Sequence, residues 1–159
     1  MPILIWLALM LWTGLAFGRD LTLPDPDLTP GASVKITLHE LCTKKWGKDR
    51  RHVTAAMKRE VFESYGLQCK PLFHGSHLQA CKNWEVDHLQ SRELGGADAV
   101  KNLWPQAYEG EWNAHMKDRV ENRLHKEVCT GNITLEQAQK EISTDWRIPY
   151  RRYFGSSKH

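Results

Sequence analysis

The sequence predicts a single α+β domain, and three observations carry that prediction. Two short extended segments, Trp84–Leu89 and Asn102–Pro105, flank a Gly95-Gly96 turn. Helical spacing follows, with Met116, Val120 and Leu124 four residues apart and a second helix beginning after Thr134. The chain has 159 residues, 41% of them hydrophobic, which is one domain's worth and enough to bury a core. With 26% charged residues, the composition excludes wholesale disorder, collagen, coiled coil and multi-span membrane architectures.

At the start, Ile3 to Phe17 is an apolar run broken only by Thr13 and Gly14. It is shorter than the roughly 20 residues a membrane-spanning helix needs. Ala16 and Gly18 flank Phe17 as at a cleavage site, so residues 1–18 read as a signal peptide, although Lys and Arg are missing from its head. An uncleaved anchor is the alternative. Cleavage after Gly18 leaves 141 residues, expected in a secreted or periplasmic setting without stable membrane association. Residues 19–33, with three prolines and a glycine, read as an extended lead-in. Residues 34–146 read as the domain, and 147–159 as a basic tail, either disordered or adding affinity for a polyanion.

With Arg19, Asp20, Asp25 and Asp27 set aside, the remainder carries 21 basic and 16 acidic residues. That modest excess is compatible with a polyanionic partner. Its densest stretch holds Lys44, Lys45, Lys48, Arg50, Arg51, Lys58 and Arg59 around Trp46. It reads as a solvated charged face or as a phosphate-contacting patch with one aromatic for stacking. Thr54 is a plausible N-cap for a helix to about Tyr65, with Gly66 as its stop, and core packing explains the Met57, Val61, Phe62, Tyr65 stripe. The second extended piece is expected to stop at Pro105. A helix from about Trp112 to Val128 follows, stopped by Gly131. Thr134 with Gln137 forms a capping box for a helix to about Trp146.

Four cysteines, Cys42, Cys69, Cys81 and Cys129, suit two disulfides in an oxidising compartment. A rival is a zinc site from Cys69, His74, His77 and Cys81.

Chemistry concentrates between Glu85 and Gln106. His88 adjoins Asp87 at a strand end, and Asn102 could brace the intervening loop through backbone bonds. Phosphodiester hydrolysis needs a general base, for which imidazole is suited, and a cation for the growing oxygen charge. Adjacent strand residues point to opposite faces, so Asp87 and His88 share a site only if the strand ends or twists there. On the following helix Asp118, Glu121, Asn122 and His125 share a face by their spacing.

At these residues the sequence resembles the HNH, or ββα-metal, nuclease family, in a secreted or phage-type branch. The pattern is Asp87-His88-Leu-x-x-x-Glu93-Leu-Gly95-Gly96, then Asn102-Leu-Trp104-Pro105-Gln106. Further blocks are Lys117-Asp118-x-x-Glu121-Asn122-x-Leu124-His125-x-x-Val128-Cys129 and Ala138-Gln139-x-x-Ile142-x-x-Asp145-Trp146. Asp25-x-Asp27-Leu-Thr-Pro-Gly31-Ala, Arg51-His-Val-Thr54 and Tyr65-Gly66 extend the likeness over nearly the whole mature chain. The resemblance implies a small ββα core among helices. It implies an endonuclease with His88 as general base, Asn102 bracing the loop, and a divalent ion (Mg2+, Mn2+, Ni2+ or Zn2+) on Asp87. Glu121 or His125 completes the metal set, with His115 and Asn122 as rivals. DNA or RNA is the expected substrate, contacted by Lys44, Lys45, Arg50, Arg51 and Arg92. Gln90-Ser91-Arg92 replaces the family's common Ile-Pro-Leu, and Arg92 either touches phosphate or pairs with Glu93 or Asp98. The wider pattern implies Cys42–Cys129 and Cys69–Cys81 disulfides. An inactive nucleic-acid-binding module and an extracellular interaction protein are the other readings.

Overall fold

Five α-helices and one two-stranded antiparallel sheet make up the described part of the chain. The computed structural model describes residues 21–67 and 81–155. The expected signal peptide and the Cys69, His74 and His77 readings lie outside the described residues. Among those described, no helix is long and apolar enough to cross a membrane.

The order is α1 (Leu38–Thr43), α2 (Ala55–Ser64), β1 (Trp84–His88), β2 (Leu103–Ala107), α3 (Ala114–Cys129), α4 (Leu135–Asp145) and α5 (Arg147–Phe154). Side chains that accept backbone N–H groups start most of the helices: Thr37 for α1, Thr54 for α2, Asn113 for α3 and Thr134 for α4. Thr37 and Thr134 close full capping boxes with Glu40 and Gln137. The Thr37-x-x-Glu40 box was therefore the legible signal for α1, a helix the sequence reading did not place.

Two apolar clusters hold these elements. Val61, Phe62, Tyr65, Val86, Leu89, Leu103 and Trp104 join α2 to the sheet. Leu41, Val120, Leu124, Val128, Ile142, Trp146 and Tyr150 join the other four helices. α3 belongs to the second cluster yet turns Lys117 toward the sheet, where its ammonium meets Asp87 and the His88 carbonyl. The site lies at that crossing.

β1 and β2 pair with Glu85 opposite Gln106, Val86 opposite Pro105 and Asp87 opposite Trp104. β2 runs through Pro105 to Ala107, contrary to the expectation that proline stops it. In a two-stranded sheet each strand has an outer edge, and a proline whose nitrogen faces that edge removes no ladder bond.

The expected basic tail is also different. Residues 147–154 form α5, whose Tyr150 packs edge-on against Trp112 and whose hydroxyl accepts a bond from Arg119 (3.0 Å). Pro149 is tolerated because the first turn of a helix leaves its N–H groups unpaired. Nor does the lead-in dangle. Buried Thr29 bonds the Tyr65 hydroxyl (2.7 Å) and the Leu103 carbonyl (3.0 Å), and the Gly31 N–H donates to the Lys101 carbonyl (2.9 Å).

A disulfide joins Cys42 in the last turn of α1 to Cys129 at the end of α3, 87 residues apart. A loop of that length is worth about 4.6 kcal/mol in the chain-entropy account. Cys81 is likewise disulfide-bonded.

Candidate active site

The hairpin between β1 and β2 is built to present His88 and Asp87 to α3. Its loop is held by one side chain. Asn102, fully buried, accepts from the backbone N–H of Gln90 (3.0 Å) and Ala32 (3.3 Å). Its amide nitrogen donates to the carbonyls of Gln90 and Ala97 (both 3.0 Å). All the amide's polar atoms are spent on backbone, so Asn102 is a brace and not a group that meets substrate. Where the loop folds back, a Cβ on Gly96 would lie 1.7 Å from the Gln90 carbonyl oxygen, a distance no side chain can occupy. Asn102→Ala leaves several of these backbone groups buried and unpaired. It is expected to cost at least about 2 kcal/mol, read as a fall in denaturation midpoint.

β1 ends at His88, which resolves the facing problem for adjacent residues. Asp87 and His88 both line one cleft of about 270 Å³, together with Arg51, Glu85, Glu93 and Glu121. Asp118 and Asn122 stand at its rim on α3. His88 is buried, and its Nε2 lies 2.8 Å from Asp98 Oδ1. Burial alone would raise the Asp98 pKa. The His52 backbone N–H, His88 and Arg92 outweigh that and hold the carboxylate below its ordinary range. An ionised carboxylate only accepts, so Nε2 carries the proton and Nδ1 keeps its lone pair. Burial, with Arg51 second, lowers the His88 pKa to about 4 against the pull of Asp87 and Asp98. The ring is therefore neutral at pH 7.

Opposite stands a buried ion cluster. Lys117, with no exposed surface, donates to Asp87 Oδ2 (2.7 Å), to the His88 carbonyl (2.6 Å) and to Glu121. Its burial would favour the neutral amine, but Asp87 and Glu121 overcome that and raise its pKa. Asp87 is held low: burial pushes up, and Lys117 with its hydrogen bond pulls down harder. One ammonium cannot neutralise two carboxylates. Glu121 is left with the excess, and burial, resisted by Lys117 and reinforced by Asp87, pushes its pKa up to about 8. Loss of water and the Asp87 charge also raise Glu85 and Asp118, and burial raises Glu93. The cleft thus holds more negative charge than its own cations balance.

Of the expected metal ligands, Asp87 and Glu121 come together through Lys117, with Asn122 on the same rim. His125 does not join them. Its Nε2 sits 3.0 Å from the Leu41 carbonyl and 3.5 Å from Cys129 Sγ. Sharing a helix face is not sharing a site, because four residues along a helix is roughly 6 Å of travel. Nor does His115, which is exposed and stacks on Tyr108 with ring centroids 5.7 Å apart. Cys42, His125 and Cys129 bring ligand atoms within 4.8 Å of one another, a group that could hold a metal ion. Here both sulfurs are tied in the disulfide, so that capacity belongs to the reduced thiols.

The expected phosphate contacts divide. Lys44 is engaged with Asp49 (3.2 Å) and lies 4.3 Å over the Trp46 ring. Arg92 binds Asp49 and the Arg50 carbonyl, with its Nε 3.5 Å from Asp98. It therefore belongs to the loop scaffold, not to a free anion site. Arg51 donates to the Val86 carbonyl and stands 3.6 Å from Glu85 at the cleft edge. Lys45 and Arg50 are exposed.

Lys117, Glu85, Glu93 and Asp98 were not among the expected site residues, and Asp118 was expected only as part of the shared helix face. The Lys117/Glu121 spacing was a visible signal for a helical ion pair, but only packing makes it a buried one. No protein-family model matches this chain, and no curated protein or solved structure matches it either.

Proposed function

We propose that this chain is an exported, metal-dependent endonuclease of the HNH type that hydrolyses phosphodiester bonds in DNA or RNA. The observation that carries the reading is a neutral, carboxylate-oriented imidazole in a cleft whose opposite wall is an over-acidic helix face. His88 Nδ1 takes the proton of an attacking water. Asp98 keeps the other nitrogen protonated and stabilises the imidazolium that forms, while Asn102 keeps the loop in register. That triad-like division of labour is the same logic that orients catalytic histidines elsewhere.

The residues present suit a hard divalent cation. Carboxylate oxygens of Asp87, Glu121 and Asp118, with Glu85 behind them, are the type such ions take. Buried Gln106 has both amide atoms, and Trp104 its indole nitrogen, without a hydrogen-bond partner. The strand pairing puts them on the hairpin face of Glu85 and Asp87. A bound cation would supply the positive charge that the phosphoryl and leaving oxygens need.

Excess negative charge makes a pH prediction. A carboxyl whose folded pKa lies above its unfolded value favours the fold at low pH, and that contribution is lost as pH rises through the folded pKa. For Glu121 the window runs from the ordinary 4.5 to about 8. His88, shifted the opposite way, loses stability for the fold only as pH falls below 6.5 toward about 4. Between pH 6.5 and 8.5 the carboxylates dominate, against a small opposite contribution from His88 that fades by about pH 7.5. In chelator the melting temperature is expected to fall across that interval, and saturating Mg2+ or Mn2+ is expected to restore it more at pH 8.5 than at 6.5. A rise across the interval, or equal metal effects at both ends, would count against a cation in this cleft.

The direct test is cleavage of plasmid and of RNA by mature protein, with Mg2+, Mn2+, Ni2+ and Zn2+ in turn and a chelator control. Nicking that chelator abolishes supports the reading. Intact substrates with every metal defeat it.

A further inference from the structure

A second concavity adjoins the cleft, of about 410 Å³, bordered by Arg51, Lys58, Arg59, Lys82, Trp84 and Tyr108. Arg51 and Glu85 line both, so the two concavities are immediate neighbours. Lys58 and Arg59 project from α2, Lys82 from the turn before β1, and all three are exposed and form no ion pair among the described residues. Trp84 and Tyr108 stand at the far end of the hairpin, where Trp84 pairs opposite Ala107. Both rings are only partly buried, and Tyr108 packs against His115. Glu85 is the acid at the border, and Arg51 faces it at 3.6 Å. Cations and aromatic surface around one concavity are what an unpaired nucleotide requires: phosphate on the first, base on the second. A base inside a duplex offers no face to such rings.

We propose that this groove binds an unpaired nucleotide flanking the scissile bond, and so gives the protein a preference for single-stranded substrate. The proposal rests on the nuclease reading for the location of that bond. A strand rises about 3.3 Å per residue, so Trp84 lies roughly 13 Å from His88, and the groove takes a neighbour of the reacting nucleotide, not the reacting nucleotide itself. The basic stretch of residues 44–59 divides: Lys44 is already engaged with Asp49, whereas Lys58 and Arg59, with Lys82 from outside it, keep their charges for a ligand.

The experiment is binding, without metal, of a fluorescent single-stranded oligonucleotide and of a blunt duplex of the same sequence. The full mature protein carries His88→Ala so that nothing is cut. The single strand is expected to bind tighter. Tyr108→Ala is expected to weaken it roughly 5- to 150-fold, the range for one stacked base, and to leave duplex binding unchanged. Tyr108→Trp keeps a ring and should keep the preference. Lys58→Ala with Arg59→Ala, both at exposed helix positions, should flatten the log–log salt slope by about 1.4, as for two single-strand phosphates. Equal affinity for both nucleic acids, or a Tyr108→Ala protein that binds like its parent, overturns the inference. Because no step of the assay requires cleavage, a failure here leaves the nuclease reading standing. A wild-type protein that binds as expected but never cuts sinks the nuclease reading instead.

Discussion

His88→Ala is expected to reduce metal-dependent cleavage by about 10²- to 10⁴-fold, the ordinary worth of a positioned general base. The fold should survive, because the ring's side-chain bond goes to Asp98, which also holds the His52 N–H and faces Arg92. Circular dichroism beside the rate separates the two ways this could go. A native spectrum with lost cleavage identifies a base. A lost spectrum identifies a structural histidine and favours an extracellular interaction protein. A native spectrum with unchanged cleavage removes His88 from the mechanism. Asp98→Asn is a finer probe. An amide can present its own N–H to Nε2 and trap the ring in the other tautomer, so cleavage should fall while the hydrogen-bond geometry persists.

The largest stability effect is expected at Lys117. Lys117→Met keeps most of the volume but strands Asp87 as a buried carboxylate with no counter-ion, beside a Glu121 that is mostly protonated at neutral pH. Breaking one side of a buried ion pair costs about 3–5 kcal/mol. For a domain of this length that is roughly 10–20 °C in melting temperature. The doubly changed Lys117→Met, Asp87→Asn protein should recover part of the loss, because the stranded charge is gone. A Lys117→Met protein that melts with its parent would show that the ammonium is not the counter-charge described. The metal prediction links to this one. With Lys117 gone, a divalent ion becomes the remaining source of positive charge for these carboxylates, so its stabilising effect should grow.

How much of this could be read from residue order differs between elements. α2, α3 and α4 were legible because their caps are local: Thr54, Thr134 with Gln137, and Gly66 and Gly131 as stops act on their own neighbours in sequence. Asn102 as a brace followed from a turn that must close on itself. α5 was not legible, since Arg147–Phe154 has a proline and no capping side chain, and what makes it a helix is Tyr150 packing on Trp112 and bonding Arg119 from other segments. β2 outran its proline because only pairing reveals which edge of a strand is free.

The site divides along the same line. Residue order alone determined the α+β class, the hairpin, and the presence of His88, Asp87 and Glu121 at positions that local periodicity could align. Tertiary structure alone decided that Lys117 is buried between two carboxylates, that Asp98 holds the histidine, and that His125 serves the helix end near Cys129 instead. The reason is electrostatic. What a charged side chain does depends on which other charges share its desolvated space, and those come from distant segments that spacing along the chain cannot bring together.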